Sequence, residues 1–442
     1  MRVLAPLLLA AVAFAACGRP FVPLDPPAIE VVSPDLHETQ TASRVTLVLR
    51  VTSPQGVRDV TIDGQRTSQL PGDDLYSDTL DLAPGLNAFV VEARGTDGND
   101  VRDTLFALRL SLQAAVVPGA DLPAPVAMHA AAALTDGSVL ILGGVGPAGA
   151  VTSATARLRE TTPFVFDVAS AGDLAVPRAG HSAHLLPDGR VLVLGGSARA
   201  EPAVGEDFIY AAEVVDPSSG ASTLLPFRGD PLRRSGHVAF LLRASGRTYA
   251  YVVGGRGPVG QGVGTPSSVV ILELRGPAGA DTLVTLTPAG GAGILEPVTA
   301  PAGAFVAGAE PRGIVTGLYA PDALPVNSRL RFLPGTSIYP FQVLEEAIDQ
   351  PEEPRDDAAM SAFDGLFLLL GGRTTAGSAT ARISVYAPDA GLWFSVLLER
   401  AGLRINRSSH TATSLPSGRI AVVGGFTQPA TPTASAEIVF AD

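Results

Sequence analysis

Residues 181–196 read HSAHLLPDGRVLVLGG: a histidine, a short apolar stretch, an Asp188-Gly189 turn, the unbroken apolar run Val191–Leu194 and a Gly-Gly pair. Asp-Gly supplies the positive φ that a tight hairpin turn needs, and a short apolar run bounded by turn signals predicts a strand covered on both faces. Four more segments share the pattern: His129 to Gly144, His237 to Gly255, Ala358 to Gly372 and His410 to Gly425, with turns at Asp136-Gly137, Ser245-Gly246, Asp364-Gly365 and Ser417-Gly418. The first glycine of each pair stands at Gly143, Gly195, Gly254, Gly371 and Gly424. The interval from Gly254 to Gly371 is about twice the others, so a degenerate copy belongs between them. The stretch from Arg312 to Gly317 has the right shape, with Gly317-Leu318 in place of the pair.

After each pair the sequence predicts a third strand, as at Ala154–Arg159, Ala211–Val215, Val269–Leu274, Ser328–Phe332, Ala381–Tyr386 and Ala436–Phe440. A fourth follows, plainest at Leu392-Trp393-Phe394 and at Pro163–Val168. A repeated supersecondary unit of this length buries its faces only against its neighbours. The chain stops after a third strand, so Leu112–Val117 is expected to supply the missing fourth strand of the last unit and leave few open edges. Arg178-x-x-His181, the run from Asp188 to Gly196, Ala212-Glu-Val-Val-Asp-Pro217 and the fourth-strand Trp393 together resemble the kelch family. That resemblance covers 113–442 and implies a six-bladed kelch-type β-propeller. One unit keeps the tryptophan, and the fourth unit lacks Gly-Gly.

Between 27 and 112, short apolar runs at Ala28–Val32, Val45–Val51, Val57–Ile62, Leu75–Leu82, Ala88–Ala93 and Leu105–Leu110 alternate with Asp63-Gly64, Pro84-Gly85 and Asp97-Gly98. Such spacing predicts a small two-sheet β-sandwich. The segments from Val57 to Gly64, Leu82 to Asn87 and Thr96 to Asn99 resemble bacterial immunoglobulin-like modules. Asp97, Asn99 and Asp100 are too few for a calcium cage and read as a solvated Asx turn. Ahead of this module, MRVLAPLLLAAVAFAAC carries Arg2, an apolar run from Val3 to Ala16 and Cys17 after two small residues. That run is a secretion signal, too short to span a bilayer. Its ending resembles the bacterial lipoprotein signal, which implies cleavage after residue 16, acylation of Cys17, a proline-rich tether over 17–26 and, with Gly18 next, an outer-membrane location. The expected fold class is all-β.

The composition narrows the function. All 31 positive residues are arginine, so lysine chemistry, a pyridoxal Schiff base and the usual phosphate loop are excluded. With net charge -12, a nucleic-acid partner is disfavoured. A copper-radical oxidase needs a cysteine in the propeller, and the single cysteine is Cys17. No cofactor or metal motif is present, since His181 and His184 point to opposite faces of a strand and the acidic run from Glu345 to Asp357 lacks glycine-punctuated ligand spacing. The pairs Arg178/His181, Arg234/His237 and Arg407/His410, with Arg355 alone and His129 lacking its arginine, enter the first strands from the face carrying the long loops. They either ring the axial mouth and bind an anionic or carbonyl-rich ligand, or hydrogen-bond a neighbouring blade, and their repetition favours the second. The expected function is a non-enzymatic binding or scaffolding module for a protein or glycan, touching the membrane through its N-terminal lipid only. The alternative is a sugar-processing enzyme of epimerase or hydrolase type. Mass spectrometry of the native N-terminus is expected to show acylated Cys17; an unmodified cysteine there overturns the lipoprotein reading.

Overall fold

The computed structural model describes residues 25–441 except 73, 261, 267–268, 277–280, 287–297, 307–310, 320–323, 335–340, 397–401 and 429. The signal sequence and Cys17 therefore lie outside the described residues. Every named element is a strand apart from two three-residue 3-10 turns, and no helix among the described residues is long and apolar enough to cross a membrane.

The chain divides into two compact units. The first comprises residues through Asp35, Arg44–Asp81 and Ala88–Leu105. Two four-stranded sheets are built around it: Ala28–Ser33, Arg44–Thr52, Leu75–Asp81 and Ser68–Gln69 in one, and Gln65–Arg66, Val57–Ile62, Gly85–Gly95 and Asp100–Arg109 in the other. Alternate residues Leu47, Leu49 and Val51 are buried with Val60, Ile62, Val91 and Ala93, which is the period-two pattern of strands with one covered face.

The second unit comprises Leu36–Ser43, Leu82–Asn87 and Phe106–Asp442 and contains, among the described residues, six sheets of four or five strands and three two-stranded ribbons. Four consecutive strands make the first sheet, Ala130–Ala133, Val139–Val145, Val151–Thr162 and Val165–Asp173, and its neighbours repeat the order. The third adds a short parallel strand, Phe227–Arg228. First strands of successive sheets lie side by side, and that of the sixth, Thr411–Ser414, lies beside that of the first. Leu112–Val116 pairs antiparallel with Ala436–Ala441 and completes the sixth sheet. The architecture is all-β and propeller-like.

Second strands such as Val191–Leu194, Leu366–Leu370 and Ile420–Val423 are buried at every residue. Each is sandwiched between two neighbouring sheets, which is why these segments read as unbroken apolar runs. An apolar layer fills each interface; Leu140, Leu142, Val191 and Val193 lie between the first and second sheets, and Val139, Ile141, Ala421 and Val423 between the sixth and first. The last interface is also clasped from outside. Glu160 accepts hydrogen bonds from Ser417 and Arg419, Arg419 lies over the Phe164 ring, and Phe164 meets Phe440 edge-on at 5.0 Å.

The degenerate fourth copy forms a complete sheet, Ala302–Val306, Arg312–Tyr319, Leu324–Pro334 and Phe341–Ala347. Glu345 and Glu346 belong to a strand rather than to a solvated loop, and they hydrogen-bond Ser328 and Arg329 across it. The glycine-rich stretch after Arg256 is a hairpin, Gly257–Val259 with Gly262–Gly264, and Phe426–Gln428 pairs with Thr431–Pro432. In each case cross-strand bonding orders a stretch rich in charge or glycine.

The Gly-Gly pairs join one sheet to the next. Gly144, Gly196, Gly255, Gly372 and Gly425 donate their N–H to the carbonyls of Arg178, Arg234, Val298, Arg407 and Val126 in the following sheet, at 2.6–2.9 Å. A Cβ on Gly424 would sit 2.5 Å from the Val126 carbonyl and 2.7 Å from the His129 ring, at φ +62. Gly189, in the Asp-Gly turn, has φ +87 and nothing within 4 Å of that position. Gly189→Ala is thus expected to lose about 1–2 kcal/mol from backbone strain alone, whereas Gly424→Ala loses roughly 3 kcal/mol or more by adding a collision at the ring closure, as measured by urea unfolding.

Candidate functional site

The residues singled out by repetition are all placed inside the protein. Arg178, Arg355 and Arg407 are at most 1% exposed and Arg234 4%, and His181, His237 and His410 are 6–7% exposed. Each guanidinium binds main chain of its own sheet: Arg178 donates to the Gly195 and Ala211 carbonyls, Arg234 to Gly254, Arg355 to Leu369 and the Ser384 hydroxyl, and Arg407 to Gly424 and Ser435. Arg178 and Arg407 are further neutralised by the fully buried carboxylates Glu213 and Glu437, at 2.5 and 2.6 Å. Burial draws Arg234 and Arg355 down to about 10, so both stay charged at neutral pH. Where the second sheet has Arg178 and Glu213, the first has Val126 and Ala156. The third-strand acids were a sequence signal for this pairing, in the Ala-Glu dipeptides of residues 212–213 and 436–437.

The histidines pack across the interfaces, each against the first glycine of the preceding sheet: His129 on Gly424, His181 on Gly143, His237 on Gly195 and His410 on Gly371. Desolvation lowers all four, His129 to about 4 and His237 to about 3, so the imidazoles are neutral at pH 7. His129 Nε2 hydrogen-bonds Thr411 and His237 Nε2 hydrogen-bonds Ser182, in each case the residue after the histidine of the preceding sheet. For His181 and His410 that place is taken by Ala130 and Ala359, and their Nε2 atoms lack a hydrogen-bond partner. The four rings line a small cavity of about 120 Å³ on the axis. His184 is lowered by burial to about 4, and among the described residues no group of three or more His, Cys, Asp or Glu is placed to hold a metal ion.

Beside that cavity the long loops converge on an axial mouth. Main-chain bonds run around it: Gly236 N–H to Gly180 O, Gly180 to Met128, Met128 to Ser409, Ser409 to Asp357 and Asp357 to Ala300, at 2.7–3.2 Å. Met128, Asp357 and Ser409 adopt φ of 50–53 there, a left-handed geometry uncommon for residues with a side chain. The cleft at the mouth has a volume of about 440 Å³ and is lined by Glu201, Arg256, Asp357, Arg373, Ser409 and Gln428, with Phe426. Arg373 is held bidentately by Asp356 at 3.0 and 3.1 Å and reaches Asp357 at 2.8 Å. Burial pushes the Asp357 carboxyl up to about 6 against the opposing pull of Arg373. Among the described residues no carboxylate pairs with Arg256.

Repetition did not mark these residues, because each breaks the repeat. Arg256 and Arg373 directly follow Gly-Gly where other copies have Val145, Ser197 and Phe426, and Asp357 stands where they have Met128, Gly180, Gly236 and Ser409. Departures from the pattern were the available signal.

No family model matches the chain, and no curated protein matches its sequence. Among solved structures that do match, one titled "Structure of YjhT" aligns with a TM-score of 0.54 at 14% identity, covering 74% of this chain and 100% of that one. At that identity the likeness speaks for a propeller-like fold alone.

Ala130→Ser and Ala359→Ser, which give His181 and His410 the hydroxyl their counterparts enjoy, are expected to stabilise by about 0.5–1.5 kcal/mol each. Thr411→Ala, which orphans His129, is expected to cost roughly 1–3 kcal/mol, and chemical denaturation measures all three.

Proposed function

We propose that this chain is a binding protein of the cell envelope, anchored through lipidated Cys17, in which an immunoglobulin-like module precedes a six-bladed kelch-type propeller that receives a glycan or protein ligand at its axial mouth. The observation that carries the reading is Arg256: a half-buried arginine lining a 440 Å³ cleft with no carboxylate partner among the described residues. The arginines that serve the fold are buried against main-chain carbonyls, and Arg178 and Arg407 are also paired with Glu213 and Glu437. One left without such a partner beside Arg373, Gln428 and Ser409 offers forked donors to ligand oxygens. Loops on a rigid scaffold are the usual seat of recognition, and these loops vary while the sheets repeat. In this reading Arg178, His181, Arg234, His237, Arg355, Arg407 and His410 hold the scaffold that positions the mouth.

A second reading, a sugar-processing enzyme of epimerase or hydrolase type, is favoured by Asp357. A carboxyl near 6 in a cleft populates both protonation states close to neutrality, as a proton-transfer group requires. The mature chain is to be applied to glycan and peptide arrays and screened for turnover. Arg256→Ala is expected to weaken binding about 10- to 100-fold, the loss of a charged hydrogen-bonding group, with the melting temperature unchanged. Turnover of any glycan that Asp357→Asn abolishes replaces the binding reading with the enzymatic one.

A further inference from the structure

The circuit of main-chain bonds around the mouth has a gap. Five links join Gly236, Gly180, Met128, Ser409, Asp357 and Ala300, but the sixth, from Ala300 N–H to the Gly236 carbonyl, is absent. The cause is in the sequence. Ala300 precedes Pro301, which occupies the place of the histidine against Gly254, and a residue before proline is confined to extended backbone. Met128, Gly180, Gly236, Asp357 and Ser409 all have φ between 50 and 66, whereas Ala300 does not share that left-handed conformation. Its N–H is therefore not delivered to the preceding sheet.

The space differs accordingly. A Cβ on Gly180 would meet the Ser235 hydroxyl at 2.3 Å and the Gly236 nitrogen at 2.9 Å, but on Gly236 the nearest atom is the Thr299 carbonyl at 3.8 Å. The seam between the third and fourth sheets is open where the preceding one is shut. It lies in the cleft that Ser235, Arg256 and Thr299 also line. Among the described residues, neither the Ala300 N–H nor the Gly236 carbonyl has a main-chain partner for that link.

We infer that this seam is a subsite for one residue of an extended peptide, whose N–H donates to the Gly236 carbonyl and whose carbonyl accepts from the Ala300 N–H. The inference rests on the reading of the mouth as the ligand site. Both open groups are main chain, an acceptor on Gly236 and a donor on Ala300, and one residue of an extended peptide carries the N–H and the carbonyl that meet them. Main-chain pairing of this kind is a general mode of peptide recognition. The cleft also offers little stacking surface, Phe426 being its sole aromatic among the described residues.

The test uses the full mature chain on an array of hexapeptides blocked at both ends, with a glycan array in parallel. Bound peptides are then N-methylated one position at a time. Ala300→Gly/Pro301→His, which restores the repeat sequence and lets the chain close its own seam, is expected to melt no lower than the wild type and to lose peptide binding at least tenfold. One N-methyl position is expected to cause a similar loss. The subsite is overturned if the closed variant folds and binds normally, or if no single N-methyl position matters, a result that does not depend on the variant folding. If Arg256→Ala abolishes binding while the seam variant does not, the mouth stands as a ligand site and the seam falls. Binding to glycans alone overturns the peptide assignment, and no binding on either array overturns both readings.

Discussion

The structure depends on how closely two backbones approach at each Gly-Gly pair. The second glycine must donate to a carbonyl of the following sheet while the first lies beneath a histidine ring, or for Gly254 beneath Pro301, and both hold positive φ. No side chain has room in that contact. The bond from Gly425 to Val126 repeats it between the last sheet and the first, so one short-range rule both spaces the sheets and closes their ring. Everything further out, including the apolar layers and the Glu160–Arg419 clasp, lies on a geometry that these approaches impose.

Once the sheets are that close, the side chains flanking each pair lose water and must be satisfied internally. The guanidiniums of Arg178 and Arg407 meet this with glycine carbonyls and a buried glutamate. An unpartnered buried charge would be costly, so where the arginine is replaced by Val126 the facing position is also apolar, at Ala156. Neutral histidines follow the same logic, with Thr411 and Ser182 serving two rings and alanines leaving two others unserved. The repeats are thus close copies in backbone but unequal in how well their polar groups are met.

This separation explains how much was legible. The hairpin turns, the unbroken second strands, the closing strand at Leu112–Val116 and the hidden fourth copy all follow from local pattern, because turn chemistry and burial on both faces leave marks on consecutive residues. The site does not work that way. Glu201, Arg256 and the Arg373–Asp357 pair come from the second, third and fifth copies, and nothing within any one copy marks that they meet. Arg178 and Arg256 are the same residue type, and only burial against main-chain carbonyls, with Glu213 beside them, separates the clamp from the candidate ligand contact.

Sequence alone therefore determined the all-β class, the repeat and its number, the place of the degenerate copy and the way the last sheet is completed, since each is a matter of chain order, turn type and period. Tertiary structure alone decided that the repeated arginines and histidines face inward, that Glu213 and Glu437 neutralise two of them, that residues breaking the repeat converge on the mouth, and that Pro301 leaves one seam open. Those facts depend on which copies become neighbours around a closed ring and at what distance their backbones meet, and no single copy carries that information.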